Sequence, residues 1–227
     1  MAKNHSFYEL PAPGLTTVNS KAYGTHTRAA RGTKSKVEVN DTLKRHNLLL
    51  INANIPARLV KNAIDTYRSD FPCGQLWQYL VGMFKMQLKI KIPLNVDRLM
   101  LKDINKEYTL ARLIKQGFKK QITVGLRTIK LDIEKLNPQF RRKAIDGYLL
   151  EVVVIFFDFD RMETTSDSST SLILPLSHDQ VLSFELKTGK PGVHYLICLK
   201  LTGCVGQEVQ SDNSARCMQI IRTGMIV

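Results

Sequence analysis

The sequence is short of acidic residues, of tryptophan and of long apolar stretches. Its 20 Asp and Glu stand against 33 Lys and Arg, so the formal net charge at pH 7 is +13 and the isoelectric point is about 9.7. The longest unbroken apolar run is Val152–Phe157, far short of the roughly 20 residues that a membrane-spanning helix needs. A membrane partner is therefore not expected. The opening Met1-Ala-Lys-Asn-His-Ser-Phe-Tyr-Glu-Leu-Pro contains no apolar core of the kind a secretory signal requires, and a cytoplasmic protein is the expectation. Cysteine is limited to Cys73, Cys198, Cys204 and Cys217, with no Cys-x-x-Cys pair. A group of Cys198, Cys204, Cys217 and His194 has spacings that match no zinc ribbon or finger. The thiols read as buried small hydrophobes in a reducing compartment, and no metal or cofactor is expected.

Catalytic signatures are equally scarce. Asp158-Phe-Asp160 follows the apolar run directly and resembles the first motif of haloacid-dehalogenase-type phosphotransferases, in which the first Asp is the nucleophile and the second a general acid. It also resembles the metal-binding Asp-x-Asp of many glycosyltransferases. The phosphotransferase motif belongs at the start of an α/β domain with a later Lys and a distal acidic pair, whereas here the remaining chain alternates like antiparallel strands. The two carboxylates read instead as the point where a buried strand meets water, ahead of a polar loop at Thr164–Ser171. Ser177-His178-Asp179 is contiguous, and neighbours on an extended chain point to opposite faces, so it reads as a turn and not a triad. Gly32-Thr-Lys-Ser-Lys36 and Thr188-Gly-Lys-Pro191 lack the glycine spacing and donors of a phosphate-cradling loop. The expectation is a protein that is not an enzyme.

What is present is charge of one sign, unevenly placed. Residues 1–146 hold 27 basic and 11 acidic side chains, a net of +16, and residues 147–227 hold 6 and 9, a net of −3; together these make the total of +13. Residues 1–37 combine Pro11, Pro13, Gly14, Gly24 and Gly32 with many Ser, Thr and Asn. Lys3, Lys21, Arg28, Arg31, Lys34 and Lys36 in this stretch face only Glu9. Such a segment buries too little surface to offset its ordering entropy and reads as a flexible basic arm. Arg28, Arg31, Lys34 and Lys36 of the arm, Lys44 and Arg45 of the first helix, then Lys115, Lys119, Lys120, Arg127 and the run Arg141-Arg142-Lys143 are the candidate contacts to a polyanion. Lys and Arg bind a phosphate backbone by neutralising it and releasing counterions, without reading bases.

Periodicity divides the rest. Residues 38–116 read as a helical region. One helix begins at an Asn40 or Asp41 cap, and the next has Pro56 in its first turn, with Leu59, Val60, Ala63, Ile64 and Tyr67 on one face. A largely apolar helix over Gln75–Lys89 and two short helices within Asn95–Lys115 complete the region. From residue 117 the period becomes two. Tyr148–Phe157 reads as a central strand covered on both faces, Leu182–Leu186 and Val193–Leu201 as half-buried strands, and Leu172–Leu176 as an edge strand because of Pro175. The phase flip between Val124 and Ile129 suggests a bulge near Gly125. With Ala215–Ile226 this makes about six strands, and an antiparallel β-sandwich domain over 117–227 is expected. The Tyr195 strand, its long turn and the final strand resemble the last hairpin of an immunoglobulin or fibronectin type III sandwich, a resemblance of fold that implies no function. The fold class expected is α+β. The expected partners are nucleic acid, DNA or RNA, met through arm and helices, or an acidic protein surface within a multi-subunit assembly.

Overall fold

Residues 147–158 alternate between two apolar sets, and a strand built that way needs a hydrophobic layer on each side. In the computed structural model, residues 15–20, 24–29, 40–68, 75–114, 117–134 and 136–227 are described. The elements in chain order are β1 (Leu15–Ser20), β2 (Gly24–Ala29), α1 (Asp41–Asp65), α2 (Leu76–Ile90), a 3-10 turn at Asp97–Leu99, α3 (Leu110–Leu113), β3 (Lys119–Val124), β4 (Thr128–Glu134), β5 (Gly147–Asp158), β6 (Glu163–Thr170), β7 (Leu174–Pro175), β8 (Leu182–Lys187), β9 (His194–Val205), β10 (Glu208–Val209) and β11 (Arg216–Met225). The protein is α+β with antiparallel sheets. Among the described residues no helix is long and apolar enough to cross a membrane.

Two compact units divide at residue 44. In the first, β1 and β2 form an antiparallel hairpin from Leu15↔Ala29 to Ser20↔Gly24. The stretch read as an arm thus carries paired strands, for which its β-branched Thr16, Thr17, Val18, Thr25 and Thr27 are suited.

The second unit, residues 45–227, is layered. β5 pairs with β9 over eleven residue pairs and with β6 on its other edge, while β11 extends the sheet beyond β9. The smaller sheet runs β3-β4-β8. Leu150, Val152, Val154 and Phe156 of β5 pack with Ile197, Leu199 and Leu201 of β9 against Ile129, Leu131, Ile133, Phe184 and Leu186 of the smaller sheet. On the opposite face Val153, Ile155, Phe157, Leu196, Cys198, Met218 and Ile220 meet Ala53, Ala57, Val60 and Ile64 of α1 and Leu80, Met83 and Phe84 of α2. Helices and strands therefore share a hydrophobic core. Glu151, the one charge in the central strand before its last residue Asp158, is answered by Lys200 directly across on β9 at 2.9 Å.

Four local expectations are corrected. A single helix runs through Pro56, which is buried against the sheet with its neighbours Ala53 and Ala57. Proline there removes the N–H that would reach the Asn52 carbonyl, and burial of the surrounding face offsets the loss. Asn40 does cap the helix, its Oδ1 accepting from the Leu43 N–H at 2.8 Å. The phase flip at Gly125 is a turn between two strands and not a bulge, because Val124 pairs with Ile129 and the Gly125 N–H donates to the Thr128 carbonyl. Thr164–Ser171 lies largely in β6, a polar strand on the edge of β5. Only Leu174 and Pro175 of the Leu172–Leu176 run pair as a strand, and Leu172 is exposed.

Because one core joins helices and sheet, Phe84→Ala is expected to lower the stability of residues 45–227 by about 3–5 kcal/mol. Phe84 is fully buried and meets the Phe159 ring edge-on at 5.6 Å. Urea unfolding followed by helical ellipticity and by tyrosine fluorescence should shift together; a shift in the helical signal alone would contradict the shared core.

Candidate nucleic-acid interface

Each basic residue singled out above takes its surroundings from the layer it occupies. Arg31, Lys34, Lys36 and Lys115 lie outside the described residues. Arg28 stands in β2 opposite Thr16. Lys44 and Arg45 are exposed in the first turns of α1, and Lys44 reaches Asp41 at 3.2 Å.

The lysines of the smaller sheet are matched by acids. On its outer face Lys119 lies across from Glu134, at 3.7 Å, and Lys130 across from Glu185. Lys119, Lys130 and Lys187 share that face with Asp132, Glu134 and Glu185, so it carries no net charge. Lys120 has the opposite parity, half-buried over the Phe118 ring at 5.6 Å. Burial holds its amine below the usual lysine range, and the charge of Arg222 adds to the effect.

Arg127 and the Arg141–Lys143 run do not meet. Arg127 sits in the β3–β4 turn, and Arg141 follows the far end of β4, a seven-residue strand, so roughly 20 Å of strand separates them. Arg141, Arg142 and Lys143 are exposed on the loop before β5, where Arg141 lies over the Tyr108 ring at 5.9 Å and Arg142 donates to the Gln210 side chain at 3.2 Å. Asp212 is nearby. Hydrogen bonds from the Ser214 N–H and hydroxyl hold its carboxyl below the usual range, and the charges of Arg142 and Arg216 add to this.

The helical layer holds cations that the sequence reading passed over. Arg58 on α1, Lys85 and Lys89 on α2 and Lys91 just beyond it have, like Arg45, no carboxylate within 4 Å among the described residues, whereas Asp65 is taken by Lys61 and Arg68. The i, i+4 spacing of Lys85 and Lys89 was the available signal.

Of the residues weighed for catalysis, Asp158 has a structural role. Asp158 Oδ1 accepts the backbone N–H groups of Asp160 and Arg161 at 3.1 and 3.0 Å, closing the β5–β6 turn. His178 lies in a turn, its N–H donating to the Pro175 carbonyl. Cys198 faces the helices and Cys217 the smaller sheet, on opposite sides of one sheet, and burial pushes both thiols up. Among the described residues no three His, Cys, Asp or Glu side chains converge on a metal position. Compared with known proteins, the chain matches no family model, no curated protein and no solved structure.

His194, half-buried with its ring 5.7 Å from Phe159, titrates below the usual imidazole value of 6.5 because burial disfavours its charged form, with the Asp97 charge opposing. The unfolded chain thus takes up this proton at a higher pH than the folded one. The residue is neutral to stability above pH 7 and works against the fold as the pH drops below about 6.5. The urea midpoint is expected to fall between pH 7.5 and 5.5 and to fall less in His194→Gln. Equal falls in both proteins would contradict the assignment.

Proposed function

We propose that the protein is a non-enzymatic binding protein that holds nucleic-acid backbone through its basic N-terminal segment and its helical layer, with the sandwich as a docking module. The observation that carries this reading is the contrast between faces: Arg45, Arg58, Lys85, Lys89 and Lys91 have no carboxylate within 4 Å among the described residues and α2 holds no acid at all, while Lys119, Lys130 and Lys187 on the outer face of the smaller sheet are balanced by Asp132, Glu134 and Glu185. Unmatched cations on a rigid layer supply the sequence-independent part of nucleic-acid affinity. The basic loop Arg141–Lys143, with Tyr108 beneath it, is a second contact on this reading. The finer fold assignment is part of the proposal. In chain order, β3-β4-β8 opposite β6-β5-β9-β11 reads as strands A-B-E opposite C′-C-F-G of an immunoglobulin-type sandwich.

Fluorescence anisotropy with a labelled duplex should show binding at 50 mM salt that weakens steeply by 200 mM. Replacing Arg58, Lys85, Lys89 and Lys91 together by Ala should weaken it about tenfold or more and flatten the salt dependence, and Lys130→Ala should leave it unchanged. Absence of binding to duplex and to RNA at 50 mM salt would refute the reading.

A structural or adaptor subunit of a larger assembly is the second reading. It is favoured by Leu48, Ile51 and Ile55, which form an apolar stripe at helical spacing on α1 and are 59, 60 and 55% exposed. A charged helix that exposes such a stripe offers it to another protein. On this reading Ile55→Lys abolishes co-purification with a protein assembly and leaves nucleic-acid affinity intact; loss of nucleic-acid affinity alone would count against it.

A further inference from the structure

The sandwich is closed along one side and open along the other. On the closed side the Asp167 carboxylate of β6 accepts the Lys187 backbone N–H of β8 at 2.7 Å. On the open side β3 and β11 pass one another without pairing. The outer edge of β11 is bonded to Leu101–Ile104 only as far as Ile220. A cavity of about 400 Å³ opens in this seam, walled by Ile122, Val124, Tyr195, Arg222, Met225 and Ile226. Its size is that of a small-molecule site.

Tyr195 and the exposed Arg222 form part of this wall, and the half-buried Lys120 follows beyond Ile122 on β3. Lys120 shares the inward parity of Ile122 and Val124, since all three pair with core residues of β4. Arg222 reaches the same side through a bulge. Ile220 lies opposite Cys198 and faces the helices, and strict alternation would send Arg222 the same way. The extra residue at Ile221 shifts the register so that Arg222 lies opposite Ile197, a residue of the sandwich core. Bulges re-aim side chains in this manner next to functional sites. Neither Lys120 nor Arg222 has a carboxylate within 4 Å among the described residues; burial chiefly, and the charge of Arg222 in addition, lower the affinity of Lys120 for its proton. Tyr195 is only 4% exposed, and its side chain forms part of the cavity wall. The hydroxyl lies over Gly224, where a Cβ would come within 2.8 Å of it.

We propose that the β3–β11 seam binds a single-chain apolar acid, its alkyl chain along Ile122, Val124 and Ile226 and its carboxylate between Lys120, Arg222 and the Tyr195 hydroxyl. An anion there neutralises two like charges that folding holds together, and guanidinium is suited to a carboxylate through paired hydrogen bonds. The site is independent of the helical-layer cations and does not rest on the nucleic-acid reading.

Isothermal titration of the full-length protein with decanoate, decyl phosphate and decanol, each below its micelle concentration, tests this. Decanoate is expected to bind one per chain and at least tenfold more tightly than decanol, with decyl phosphate reporting whether any anionic head suffices. Arg222→Met and Lys120→Met should each weaken decanoate binding at least tenfold while raising the melting temperature, because each removes one of the repelling charges. Gly224→Val should block binding by displacing Tyr195. Equal affinity for decanoate and decanol, undetectable decanoate binding, or unchanged affinity in a folded Arg222→Met protein would overturn the proposal.

Discussion

The pairing of β5 with β9 is the constraint on which the rest depends. Their eleven opposed residue pairs are apolar on both faces apart from Glu151–Lys200, Thr202 and His194, so neither face can be left to water. Each large apolar side chain removed from solvent contributes about 1.5–3 kcal/mol, and a two-sided sheet collects that gain only if two layers cover it. The smaller sheet covers one face and α1 with α2 covers the other. The helical layer is therefore a consequence of the composition of the central strands.

Layering also sorts the charge. Antiparallel pairing places Lys119 across from Glu134 and Lys130 across from Glu185, which neutralises the outer face of the smaller sheet. The helices are neutralised only in part: Asp41 and Asp65 of α1 meet Lys44, Lys61 and Arg68, and α2 contains no acid. The excess of positive charge on the described part of the molecule is thus concentrated on the helical layer and on the Arg141–Lys143 loop. The apolar stripe of Leu48, Ile51 and Ile55 lies on the same helix as Arg45 and Arg58, so one surface offers both charge and hydrophobic contact.

Much of the architecture was legible from one-dimensional pattern. The central strand, the last long hairpin, the apolar α2 helix and the Asn40 cap follow from periodicity and capping chemistry that act within a few residues. Misreadings occurred where a neighbour distant in sequence decides the outcome. Pro56 looked like a helix start, but burial of its face carries α1 through the break. Thr164–Ser171 looked like a loop because its residues are polar, yet β5 supplies a hydrogen-bonding edge and turns them into β6. The flip at Gly125 has the same sequence signature as a bulge or a turn, and only pairing with β4 distinguishes them. The candidate basic residues were legible as types and not as a surface, since Arg127 and Arg141 are held apart by the length of β4.

By itself the sequence determined the α+β character, the two-sided strand at Tyr148–Phe157, the positive first half and the absence of metal-ligand or phosphate-loop spacings, because these are properties of composition and local order. Tertiary structure alone decided that helices and strands share a core, which lysines meet an acid across a strand, and that the register shift between Ile220 and Arg222 sets the exposed Arg222 at the seam beside Ile122 and Tyr195. The physical reason is that burial and cross-strand register depend on residues that can lie more than a hundred positions apart, as Gln219 and Asp103 do, and periodicity along a single segment carries no information about what packs against it.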